Sequence, residues 1–169
     1  MSRPIRQATG RFRQERLQIL DPASAETDLA THARALALLK AWHKWRGERP
    51  IPERADVDPI DIPALLEHIL LLEVEDGDFR FRLVGETIAS RYAVRMKGRS
   101  ICELMGGTSL DETLYEHRRC AEDRCAVLIT NTEATTSLGD IRSYTRLLLP
   151  LGGTGRRADH IIGVMQFYR

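Results

Sequence analysis

The chain has 169 residues, the length of one domain, and its 43% hydrophobic and 29% charged residues are enough to bury one core, which excludes a disordered tail or a collagen. Its 25 basic and 24 acidic residues leave a net charge of +1, so the molecule as a whole is not an electrostatic binder of nucleic acid. The best apolar run, Ile69 to Leu72, is far too short for a membrane span. Three cysteines, Cys102, Cys120 and Cys125, are an odd number and too few for a disulfide scaffold; free thiols suit a reducing compartment. The first twenty residues lack a continuous apolar signal core, and the expectation is a cytoplasmic protein.

Charge is unevenly placed. Arg3, Arg6, Arg11, Arg13 and Arg16 face one acid, Glu15, in residues 1–20, while the rest of the chain holds 20 basic and 23 acidic residues. Residues 1–23 are expected to form a flexible basic arm, able to touch nucleic acid, acidic lipid or an acidic partner. From Ser24 to Trp45 the spacing of Ala35, Leu38, Leu39, Trp42 and Trp45 predicts a helix, with Ser24 or Asp28 as cap and Gly47 past its end. Pro50, Pro52, Pro59 and Pro63 then make residues 48–63 an extended joint, and Pro63–His68 reads as a short helix capped by Asp61. Residues 24–68 are thus a helix and a proline-rich joint, and 69–169 a core.

Ile69–Glu75 and Asp78–Val84 flank Asp76-Gly77, the strongest two-residue hairpin signal. That turn pairs Val74 with Phe79, Leu72 with Phe81 and Leu70 with Leu83 on one face, and Glu73 with Arg80 and Leu71 with Arg82 on the other. Residues 85–96 read as a helix or broken helix, and 100–105 as a helical turn ended by Gly106-Gly107. Ser109 and Glu112 form a capping box that opens a longer helix to about Cys125. Three β-like runs follow, at 126–136, 143–151 and 160–168, the last two joined by Gly152-Gly153-Thr154-Gly155. Leu147-Leu148-Leu149 and Ile161-Ile162 are apolar on both sides of a strand, so the sheet is covered on both faces. The Trp42/Trp45 helix or a partner subunit is the natural cover for one of them.

Trp45-Arg46, Arg49-Pro50, Pro52, Arg54-Ala55-Asp56, Asp58-Pro59, Phe81-Arg82-Leu83-Val84-Gly85, Gly98-Arg99 and Arg146 to Leu151 give the chain a close resemblance, over about residues 36–168, to the short stand-alone bacterial PAS proteins of the PAS_5 type. The resemblance implies an α+β PAS fold: a five-stranded antiparallel sheet in the order 2-1-5-4-3 with short helices across one face, here with an N-terminal helical extension. It also implies a sensor that binds a small ligand or pairs with other proteins, with any output made through contact.

Residue chemistry adds little catalysis. Haem sensors of the family hold iron through a histidine on the long helix, where His117 stands, but Glu116, Arg118 and Arg119 around it read as an exposed face. Light-sensing members carry a flavin-reactive cysteine in Gly-x-Asn-Cys-Arg-Phe-Leu-Gln. The stretch from Gly98 to Met105 lacks the asparagine and the continuation, so neither cofactor is expected and Cys102 reads as a small core residue. Cys120 and Cys125 lie about 140° apart on a helix, which disfavours a metal clamp. No nucleophile elbow, zincin or phosphate-loop motif occurs, and Asp159-His160 fits a strand start, so no catalytic residue is expected. Candidates to line an interior pocket are Phe81, Leu83, Tyr92, Met96, Leu104, Tyr115, Leu147 and Met165, all equally suited to a filled core. Leu38, Leu39, Trp42, Trp45, Leu148 and Ile162 are the interface candidates. The expectation is a non-enzymatic sensor or adaptor acting through a homodimer and a signalling partner. The alternatives are a metabolite-binding sensor and a nucleic-acid or membrane contact through Arg3 to Arg16.

Overall fold

The computed structural model describes residues 11–136, 139–141, 143–153 and 155–168; side chains are described for these except 11–16, 108, 131–136 and 139–141. Its elements are β1 (Arg11–Leu20), α1 (Ala33–Arg46), β2 (Ile69–Glu75), β3 (Asp78–Val84), α2 (Glu86–Ala89), α3 (Ile101–Leu104), α4 (Gly107–Asp123), β4 (Ala126–Thr136), β5 (Gly139–Ile141), β6 (Ser143–Leu151) and β7 (His160–Tyr168). The strands form one antiparallel sheet in the order β1-β4-β6-β7-β2-β3, with the three-residue β5 on β4. The expected five strands are therefore corrected to six in that order, with the short β5 a seventh on β4: residues 11–20, read from sequence as arm, pair with β4 from Arg11↔Thr135 to Leu20↔Ala126. Leu17 and Ile19 of β1 pack against the core, and this burial gives the strand its place.

Alternation along β6 separates two faces. Arg146 reaches α4, so Tyr144, Arg146 and Leu148, with Met165 and Phe167 opposite on β7, form the front face. Thr145, Leu147 and Leu149, opposite Gln166, Val164 and Ile162, form the back. There His32, Arg34 and Ala35 line a small cavity with Thr145, Val164 and Gln166. The cover of the back face comes from α1 of the same chain, where Leu38, Leu39 and Trp42 are buried and the Trp42 indole N–H donates to the Pro150 carbonyl at 2.8 Å.

α1 begins at Ala33, later than the spacing predicts, because residues 22–31 run as turns; neither Ser24 nor Asp28 caps it, while Gly47 does end it at φ 58°. Asp61, expected as a cap, instead takes the Lys44 ammonium at 2.5 Å and the Trp45 indole N–H at 2.9 Å, so it ties the joint to α1. Asp58 caps its own 3₁₀ turn through the Ile60 N–H, and Arg49 bonds both Asp56 and the Trp45 carbonyl. The Gly152 N–H donates to Pro52 at 2.7 Å and locks the joint to the end of β6. The Trp-Arg…Arg-Pro…Asp-Pro signature is thus a set of fastenings.

The hairpin turns at Gly77, φ 69°, as its sequence requires. A bulge between Leu71 and Leu72 alters the far end: Leu70 pairs with Val84 and Leu71 with Leu83, which moves Leu83 to the back face. α4 begins at Gly107, so Ser109 lies inside its first turn; the capping box belongs to α3, where Ser100 and Glu103 cap each other.

Candidate functional site

The helix side of the sheet is the place to look for chemistry, since α2, α3 and α4 close over the front face there. Phe81, Met96, Leu104 and Met165 are buried in one core cluster, with Tyr92 half-buried against it. The other three pocket candidates are elsewhere. Leu83 is 42% exposed on the back of the edge strand, a consequence of the bulge. Tyr115 is 44% exposed on α4, where it accepts from Arg119 at 2.8 Å and lies under its guanidinium. Leu147 points to α1. Its neighbour Leu148, expected on an interface, points to the helices, because two adjacent strand residues cannot share a face. All six interface candidates, Leu38, Leu39, Trp42, Trp45, Leu148 and Ile162, are buried within the single chain.

At the centre of the helix–sheet layer lies a group that composition alone does not reveal. The Arg146 guanidinium on β6 pairs with the Glu116 carboxylate on α4 at 2.5 Å, both side chains being 10% exposed or less. The Tyr144 ring lies 5.7 Å from the Arg146 guanidinium. Burial opposes the charge on Arg146, but Tyr144, Glu116 and Tyr92 outweigh it and hold its pKa above the ordinary value. The Glu116 carboxyl is pulled up by burial and down by Arg146, and burial leads. Burial keeps Tyr92 firmly protonated beside Tyr144 and Arg146. The Arg146 Nε is buried without a hydrogen-bond partner among the described residues.

His117 is the next residue on α4, and the exposed face expected for it is corrected: it is 2% exposed. Its Nδ1 meets the Thr113 carbonyl at 2.8 Å, its ring packs 5.4 Å from Phe79, and burial, with help from Arg146, depresses its pKa to about 3. It is a neutral core imidazole at physiological pH. Cys102 is half-buried at the start of α3, its N–H donating to Asp78 at 3.2 Å, and Cys120 is fully buried. Among the described residues no three His, Cys, Asp or Glu side chains gather as metal ligands, and no helix is long and apolar enough to cross a membrane. Arg3 and Arg6 lie outside the described residues.

This arrangement can transmit a displacement. A charge pair in a dry layer has a narrow choice of geometries, because moving either partner strands the other. α4 is thereby tied to the middle strand of the sheet. Sequence reasoning missed the pair, though it carried a signal: Arg146 stands directly before the apolar run Leu147 to Leu151 of a strand covered on both faces, where a charge must find a partner.

Among protein-family models, the PAS domain model PAS_5 matches residues 30–166. No curated protein and no solved structure gives a match.

Proposed function

The chain belongs to the PAS_5 family of PAS domains, which points to a signalling or sensory role, and on that premise we propose that it is a non-enzymatic cytoplasmic adaptor without a cofactor, acting through a second copy of itself and a signalling partner. The observation that carries this reading is the position of its exposed apolar side chains. The tryptophan stripe of α1 is used up inside the chain, whereas Ile60, Leu66 and Leu83 are 83%, 42% and 42% exposed. Leu83 stands on β3, the outermost strand, two residues before Gly85. Gly85 in turn lies against the Leu66 backbone, so a Cβ there would come within 2.7 Å of the Leu66 oxygen. A partner seated here touches the edge of the sheet whose centre is tied to α4 through Arg146 and Glu116. A shift at either end reaches the other through one packed layer.

Sedimentation equilibrium of the wild type against a Leu66→Glu/Leu83→Glu variant tests it. The expected result is a wild-type dimer and a variant monomer with an unchanged urea midpoint. A wild type that stays monomeric at about 100 μM contradicts the self-association.

A second reading, a metabolite sensor, has one observation in its favour. The buried Arg146 Nε has no partner among the described residues, so an anionic ligand able to reach it would compete with Glu116 and loosen α4.

A further inference from the structure

The cavity on the back face has polar walls: His32 and Arg34 at the start of α1, and Thr145 and Gln166, a register pair on β6 and β7. Of these, Thr145 has a partner, its hydroxyl lying 3.2 Å from that of Tyr168. Arg34 is half-buried and makes neither an ion pair nor a hydrogen bond among the described residues. By contrast Arg80, Arg82, Arg119 and Arg146 each hold a carboxylate. The Nδ1 of His32 is shut off from solvent and has no hydrogen-bond partner among the described residues. His32 also directly precedes α1, and no side chain caps that end, so the positive pole of a 14-residue helix lies at the same wall.

A second imidazole stands close to Arg34. Burial first, and then the Arg34 charge, lower the pKa of His68, whose Nδ1 is likewise buried without a partner among the described residues. Glu67 acts on His68 in the opposite sense, yet it makes no ion pair with Arg34 among the described residues. A partly buried guanidinium without a counter-charge is costly, and an imidazole nitrogen with nothing to bond adds to the cost. Both groups are satisfied by the same partner, an acceptor that carries negative charge.

We propose that this cavity is a binding site for a chloride-sized anion, held by the Arg34 guanidinium, the His32 imidazole N–H and the Gln166 amide, and that the ion fastens the first turn of α1 to β7. The lining decides the sign of the charge, because it includes an arginine and no Asp or Glu. Size decides the class. The cavity has about 10 Å³ of room, that of one water-sized sphere, so a phosphate or a whole metabolite does not fit. Such an ion exchanges freely with the buffer and is no cofactor. The site lies across the sheet from Arg146 and rests on none of the observations behind the adaptor reading.

The test is chlorine-35 NMR of the full-length protein in NaCl, where exchange of the free ion with a protein site broadens its line. Wild type is expected to broaden the line, and added bromide to narrow it again by displacement. Arg34→Gln removes the charged donor and should cut the excess width by about fivefold or more. Gln166→Glu gives Arg34 a carboxylate of the chain's own and should do the same. Urea unfolding supplies a second readout. For a dissociation constant of about 20 mM, exchanging about 200 mM sodium gluconate for NaCl should raise the wild-type midpoint by about 0.7 M and leave that of Arg34→Gln unmoved. No excess width with wild type, or a width that both variants retain, overturns the proposal. A midpoint that rises equally in wild type and Arg34→Gln overturns it in favour of a general salt effect. Displacement by phosphate at lower concentration than by bromide overturns it in favour of a larger oxyanion.

Discussion

Substituting Glu116 by Gln keeps the size and shape of the side chain and removes one charge of the buried pair. At 2.5 Å and an effective dielectric of about 20, two unit charges attract by about 7 kcal/mol. Taking both out of water costs several kcal/mol per ion, so the intact pair is nearly neutral against an apolar replacement. The single substitution is different, because it leaves the Arg146 charge buried with no counter-ion, at a cost of about 3–5 kcal/mol. Replacing both partners, Glu116→Leu with Arg146→Met, should return the protein to within about 1–2 kcal/mol of wild type. Urea unfolding followed by the fluorescence of Trp42 and Trp45, both buried in the same core, reads this directly. At a slope of about 2 kcal/mol/M, Glu116→Gln should lower the midpoint by about 1.5–2.5 M. A midpoint lowered by less than about 0.3 M, or a double variant as unstable as the sum of its singles, would refute the claim that the pair binds α4 to the sheet as a unit.

Three further outcomes are expected. His117, with its folded pKa depressed to about 3 against about 6.5 unfolded, contributes stability that is complete above pH 6.5. That stability is lost toward pH 3 at up to about 1.4 kcal/mol per pH unit; a pH series of urea midpoints should show the decline, and His117→Gln should flatten it. Trp42→Ala removes a fully packed indole and its bond to Pro150, so calorimetry should report a loss of about 3–5 kcal/mol, with Trp42→Phe recovering more than half. Gly85→Ala places a Cβ 2.4 Å from the Glu67 carbonyl, backbone that cannot rotate away, and should cost about 1–3 kcal/mol in the same assay.

Much of the fold is legible because its signals are local. Asp76-Gly77 fixes a hairpin by turn geometry, and the apolar runs of β6 and β7 mark strands covered on both faces. What was not legible depends on distant partners. β1 is rich in arginine, and among its described side chains Leu17, Ile19 and Leu20 pack on the core; it is a strand because β4 offers it an edge. The bulge opposite Leu71 and Leu72 adds one residue that no alternation announces, and it carries Leu83 to the other face. The same parity exchanged Leu147 and Leu148. The site was missed for a related reason. Arg118 and Arg119 made their neighbours look solvated, yet consecutive helix residues are 100° apart, and the buried row of α4 runs Glu116, His117, Cys120 and Ala121. A charge in that row becomes meaningful only when Arg146, thirty residues on, is seen beneath it.

The central claim is that this PAS domain acts by contact. Native mass spectrometry of the freshly purified chain, followed by the mass of the same sample denatured, tests it most directly. The account predicts twice the chain mass and nothing released on denaturation. A single chain carrying a small anionic molecule that denaturation releases would contradict it.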